Sequence, residues 1–189
     1  MIRALSTPKP YLKTGADWMP ILLTRIDDRL IHGQVVVGWA QELKINHIIV
    51  VNDEIVKNDM QKFLFRMATP NDINLSILTT DEAAQKIAGR EFDNDTAMIL
   101  VKSPIDICSL IKAGGKISEV NIGGMHFENN KTQLFDAVFV DDRDVEAFRQ
   151  LNDMKVTLEV RMVPTDTKKN IVKAIEEKFG KTAEGGNEK

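Results

Sequence analysis

Short β-rich runs alternate with helical spacing along most of this chain, and that alternation restricts the fold more than any other feature. The runs are ILLTRI (21–26), HIIVV (47–51), NLSIL (74–78), AMILV (97–101), EVNIG (119–123), AVFV (137–140) and TLEVRMV (157–163). Between the first two, Val36, Trp39, Ala40 and Leu43 recur at i, i+3, i+4 and i+7, the spacing of one helix face. Met60, Phe63, Leu64 and Met67 repeat those offsets, and the stripe reads as core. Pro104 suits the first turn of a helix carrying Ile107, Leu110 and Ile111, closed by Gly114 and Gly115. The Asp141-Asp142 signal opens another helix, and a last one, with Ile171, Ala174 and Ile175, is placed from near Thr165 or Asp166.

Runs such as HIIVV and AMILV are apolar without alternation, as strands covered on both faces must be. Repeated βα units imply an α/β single domain: a seven-stranded, mostly parallel sheet with helices on both faces. The exception is 119–140, where GGMHFENNKTQ joins two short strands without a helix and one strand is expected to run antiparallel. The domain is expected over residues 20–179, after an extension or leader at 1–19 and before a polar, Gly-rich tail at 180–189, with Met19 as a candidate start.

Composition narrows the function. The balance of 25 basic and 28 acidic residues gives −3, against a nucleic-acid footprint, which needs clustered cations. No run approaches the roughly 20 apolar residues that span a bilayer. A single cysteine, Cys108, rules out an intramolecular disulfide and suits a reducing cytoplasm; its neighbours Ile107, Leu110 and Ile111 make it a packing residue.

The chemistry gathers in RIDDRLIHGQV (25–35). Ligand sites in open parallel sheets form outside the carboxyl ends of strands, where loops enter helix N-termini. His32 is expected there, next to backbone N–H groups that favour an anion. Arg29 offers a planar fork for phosphate, and Gly33 and Gln34 at the helix start are candidates for binding or positioning it, Gly33 by letting the backbone approach closely. Like charges 4 Å apart cost about 4 kcal/mol at an effective dielectric of 20, so Asp27 and Asp28 are expected to position these groups and not to face a phosphate. His32 could then be a phosphoryl acceptor, for which it must be neutral, a phosphate binder or a general acid/base. The bland reading is a capped loop histidine in a solvated ion-pair cluster. Gly123, Gly124 and His126 end the fifth run and are candidates for the same edge, while His47, at the amino end of its strand, reads as structural. Asp53 and Glu54 read as helix N-terminal residues.

RIDDRLIHGQV, followed by IIVVNDEIVKNDMQK and VNIGGMHF, resembles the IIB component of the mannose/fructose/sorbose family of the bacterial phosphoenolpyruvate:sugar phosphotransferase system, over about residues 20–179. The resemblance implies a cytoplasmic protein-histidine:sugar phosphotransferase without metal or other cofactor. In that reading His32 carries the phosphoryl group on Nδ1 as a phosphohistidine, Arg29 assists, a IIA protein donates, and membrane IIC and IID partners bring the sugar. It also implies a seven-stranded, mostly parallel α/β fold. Two other functions compete: a IIB-like regulatory module phosphorylated on His32, and a metal-dependent hydrolase using Asp27, Asp28 and His32. The sugar is not specified, with only a faint lean toward an amino sugar such as N-acetylgalactosamine, and the oligomeric state is open.

Overall fold

The computed structural model describes residues 21–180, so the expected leader at 1–19, the candidate start Met19 and all but the first residue of the expected tail lie outside the described residues. Six of the seven runs become strands of one sheet: β1 (Ile21–Asp27), β2 (His47–Val51), β3 (Asn74–Leu78), β4 (Ala97–Val101), β5 (Glu119–Gly124) and β8 (Thr157–Val160). All six pair in parallel with their neighbours. The seventh position belongs to β9 (Lys169–Asn170), antiparallel to β8, and the order is β3-β2-β4-β1-β5-β8-β9. The run at 137–140 instead forms β7 (Val138–Val140), antiparallel to β6 (Thr132–Phe135) in a separate two-stranded sheet. An antiparallel element within 119–140 was expected; that it leaves the main sheet was not. Both short partners, β6 and β9, are mostly polar or half-buried and carry no apolar run to betray them.

Two apolar layers sandwich the sheet. One joins Ile49, Ile99, Val101 and Ile122 to α2 (Thr80–Ala88), α3 (Pro104–Lys112), α4 (Asp142–Asp153) and α5 (Ile171–Phe179). The other joins Ile48, Val50, Met98 and Leu100 to the π-helical segment Gln34–Ala40 through Val35, Val36, Trp39 and Ala40. Helix α1 (Asp59–Ala68) also lies on that side, with Phe65 packed against the layer. Local caps set the helix starts. Ser103 and Asp106 form a capping box with Pro104 in the first turn of α3, and Asp141 and Asp144 form one on α4. Thr79 and Glu82 do the same for α2, a helix without a clear apolar stripe. α5 starts at Ile171, capped by Asn170, later than the expected Thr165 or Asp166; Asp166 spends its carboxylate accepting from the N–H groups of Met162 and Val163. The Met60, Phe63, Leu64 and Met67 stripe departs from the sequence reading altogether, since α1 has no buried residue.

The direction in which strands are added to the sheet reverses between the parallel strands β1 and β5. From β1 the chain moves to β2 and β3 on one side, while from β5 it moves to β8 and β9 on the other. A crevice at the carboxyl ends of β1 and β5 follows from that switch in direction.

Candidate functional site

The crevice holds what the sequence placed at it. β1 ends on Asp27, and a turn closed by the Leu30 N–H donating to Asp27 O (2.9 Å) brings the chain to His32. The strained residue in this turn is Leu30, with φ +57°, and not Gly33. Gly33 sits at φ −52°, and a Cβ there would meet nothing within 4 Å, so no steric demand for glycine acts at this position. The His32 carbonyl accepts from the N–H groups of Val35 and Val36, starting the π-helical segment.

Asp27 is the hub. Its fully buried carboxylate accepts from Arg25 Nη2 at 2.9 Å, and the same oxygen lies 3.0 Å from His32 Nε2. The other oxygen accepts from the Arg29 N–H at 3.3 Å and lies 3.6 Å from Arg29 Nε. Burial alone would raise this carboxyl, but the His32 contact and the Arg25 guanidinium outweigh it and hold Asp27 below the usual carboxylate range. The contact is close but not a well-aligned hydrogen bond, because Nε2 is buried without an in-line partner. With Nε2 turned inward and the side chain 16% exposed, the accessible edge of the imidazole is the one that includes Nδ1.

Arg25, fully buried, was missed as part of the site by sequence reasoning, although a charge inside an otherwise buried strand is the signal that could have found it. Burial pushes its guanidinium down, opposed by Asp27. Its N–H groups also donate to Asn121 Oδ1, Arg161 O (3.0 Å) and Met162 O (3.2 Å). Trp39 donates to Met162 O, and its ring has the guanidinium carbons of Arg25 and Arg161 at 5.4 and 5.0 Å. Glu159 holds Arg161 in turn. Gly123 makes room for this network: a Cβ there would fall 1.8 Å from the Arg25 guanidinium. A Cβ at Gly124 would meet the Asp27 carboxylate at 3.4 Å or more, an ordinary contact.

The two aspartates separate cleanly. Asp28 binds across the crevice, accepting from the His126 backbone N–H at 2.6 Å and pairing with His126 Nδ1. Arg29 is 46% exposed and donates to Gln34 Oε1 at 3.2 Å, so its fork stands at the surface. Asp27, Asp28 and His32 do not form a metal-binding group, and none is found among the described residues; the hydrolase reading has no ligand set. His47 joins Asp95 (2.7 Å), Ser76 (2.8 Å) and the Phe92 ring at the amino edge, a structural role. Asp53 accepts from the Thr80 N–H at the start of α2.

Comparison with known proteins accounts for this frame. Residues 21–185 match the family described as PTS system sorbose subfamily IIB component. The chain is 39% identical to the fructose-specific EIIB component of Bacillus subtilis (strain 168), covering 83% of this chain and 96% of that protein. It is also 39% identical to the sorbose-specific EIIB component of Lacticaseibacillus casei, covering 86% and 99%. The crystal structure of the IIBSor domain of the sorbose permease from Klebsiella pneumoniae superimposes with a TM-score of 0.79 at 34% identity, covering 85% of this chain and 98% of that one.

The phosphohistidine, and with it the protein-histidine transferase expected above, needs correction, because these matches do not carry it. They show a IIB component of the phosphotransferase system, and that likeness by itself names no acceptor residue, so histidine chemistry is not inherited with it. The acceptor is a question for this chain's own side chains. The one cysteine, Cys108 on α3, is 4% exposed and donates to Ala147 O, and burial pushes its thiol up. A thiolate nucleophile needs the reverse of those conditions. An N-acetylgalactosamine-specific IIB component of Escherichia coli is also similar, at 34% identity, so the lean toward an amino sugar is neither supported nor overturned by likeness.

Proposed function

This chain belongs to the sorbose subfamily of IIB components of the phosphotransferase system, and from that premise we propose that it is a cytoplasmic phosphocarrier acting at the β1–β5 crevice. It takes a phosphoryl group from a IIA-type phosphoprotein and passes it to a sugar moving through membrane IIC and IID partners. No helix among the described residues is long and apolar enough to cross a membrane, which fits a carrier that meets the permease from outside it.

The observation that carries the reading is the orientation of His32. Nε2 is turned inward against Asp27, which leaves the Nδ1 edge of the ring outward, whereas Cys108 presents nothing. In transfer, the donor's bond to phosphorus breaks as the bond from Nδ1 forms, and the ring gains positive charge. The ionised Asp27 carboxylate, 3.0 Å away, stabilises that charge, and Arg25 keeps the carboxylate ionised. Arg29 lies near enough to Asp27 to be anchored and is exposed enough to meet the phosphoryl oxygens. Gln34 steers that fork, and Asp28 holds His126 at the opposite wall. Fructose- and sorbose-specific relatives are equally similar to this chain, so similarity alone selects no sugar.

The test is labelling from a phosphorylated IIA protein in the wild type, His32→Ala and Cys108→Ala. Expected is acid-labile, base-stable phosphate in the wild type and in Cys108→Ala, and none in His32→Ala. Label lost with Cys108 and kept without His32 would move the relay to the thiol and overturn the assignment.

A further inference from the structure

Helix α1 is mounted inside out. Met60, Phe63, Leu64 and Met67 are 67, 60, 55 and 70% exposed, while the half-buried residues of the helix are Gln61, Lys62 and Phe65. Offsets of 3, 4 and 7 put the four exposed residues on one stripe, the pattern that normally faces a core. Together they present on the order of 500 Å² of apolar surface, at the upper end of the roughly 300–600 Å² typical of a monomer's largest patch. A helix of 10 residues is also too short to stand without packing, and Phe65 is its one apolar anchor to the sheet layer.

We propose that this face is a two-fold interface through which two copies of this chain associate, α1 against α1 in antiparallel register. Charge placement selects that occupant. Asp59 and Arg66 stand seven residues apart and hence on the same flank of the stripe, acidic at the start and basic near the end. In an antiparallel helix pair like flanks meet, so Asp59 of each copy faces Arg66 of the other. The other flank carries Gln61 and Ala68, uncharged and small enough for close approach. Asp59 is almost fully exposed and already pairs with Lys62 at 2.7 Å, so its carboxylate is held at the rim where a second cation would arrive. The area fits a weak association: two such faces bury on the order of 1,000 Å², the lower limit for a specific interface. This surface is separate from the crevice and does not depend on its chemistry.

Sedimentation velocity of the full chain from about 1 μM to about 1 mM tests the proposal, a range that brackets weak dimers. Expected is a reversible monomer–dimer equilibrium whose dissociation constant rises at least about tenfold in Phe63→Glu, with unchanged circular dichroism. Leu64→Cys, close to the two-fold axis, is expected to form a disulfide-linked dimer, with Cys108 buried and uninvolved. Asp59→Lys and Arg66→Asp are each expected to weaken the dimer and, combined, to restore it. A monomer throughout that range, or a dimer indifferent to Phe63→Glu, overturns the proposal. So does binding of Met67 and Phe63 to lipid vesicles, to another protein or to the chain's own terminal residues in place of a second copy.

Discussion

Replacing Gly123 by alanine adds one methyl group where the structure has no space for it. The new Cβ would lie 1.8 Å from Cζ and Nη2 of Arg25 and 2.2 Å from Nη1, so the guanidinium must move. Arg25 has little freedom, being fully buried and fixed by Asp27, Asn121, Arg161 O and Met162 O. Its displacement leaves the Asp27 carboxylate buried with only His32 and the longer contacts of Arg29 as partners. Breaking one side of a buried ion pair costs about 3–5 kcal/mol, which contains the roughly 1–3 kcal/mol of overpacking expected of an added methyl. With a urea m-value of about 2 kcal/mol/M, the denaturation midpoint falls by roughly 1.5–2.5 M. Gly33→Ala is the control, because its φ of −52° suits alanine and a Cβ there meets nothing. It is expected to change stability by less than about 0.5 kcal/mol, or to raise it by up to about 1 kcal/mol through the unfolded chain. Urea titrations of both variants decide the matter. A Gly123→Ala protein within about 0.5 kcal/mol of the wild type would refute the role given to the Arg25–Asp27 pair.

Other consequences follow from the same contacts. Asp27 has a folded pKa below its unfolded value of about 3.9, so its contribution is complete above that value and is lost as pH falls through the folded pKa. Asp27→Asn is therefore expected to flatten the acid limb of stability measured by urea midpoints between pH 7 and pH 2; an unchanged limb would argue against the pairing. Arg29→Lys keeps the charge but loses the fork, and the residue is half exposed. Stopped-flow transfer from phosphorylated IIA is expected to slow at least about tenfold while the urea midpoint holds, and equal rates would remove Arg29 from the chemistry. His47→Ala removes contacts to Asp95, Ser76 and Phe92. It is expected to lower stability by about 1–3 kcal/mol without altering the phosphate linkage or the transfer rate per folded molecule, and a selective loss of transfer would contradict its structural role.

The parts legible in the chain were those governed by local rules. HIIVV and AMILV are strands at the expected residues because a strand covered on both faces must be apolar throughout, and the half-buried edge strand NLSIL also falls where its β-rich run placed it. The β1 loop was legible because a histidine, an arginine and two aspartates before a helix start have little reason to sit together elsewhere. Three things were not. β9 is two residues of hydrogen bonding to β8, with no pattern in the side chains. Gly123 reads as a turn glycine in one dimension, but its cause is a guanidinium 98 positions earlier. The α1 stripe has the periodicity of a core helix, and periodicity reports that an apolar face exists without saying which way it points.

Alone, the sequence determined the six parallel strands of the main sheet and most of the helices, which loop carries the titratable groups, and that the only thiol sits in an apolar setting. Tertiary structure decided how those groups divide: Asp27 to Arg25 and His32, Asp28 to His126, and the imidazole edge left open. It also decided that α1 turns its apolar stripe to solvent. Periodicity and capping act between residues a few positions apart, whereas the partners of a buried charge and the face a helix buries are set by segments that meet only after the sheet has assembled.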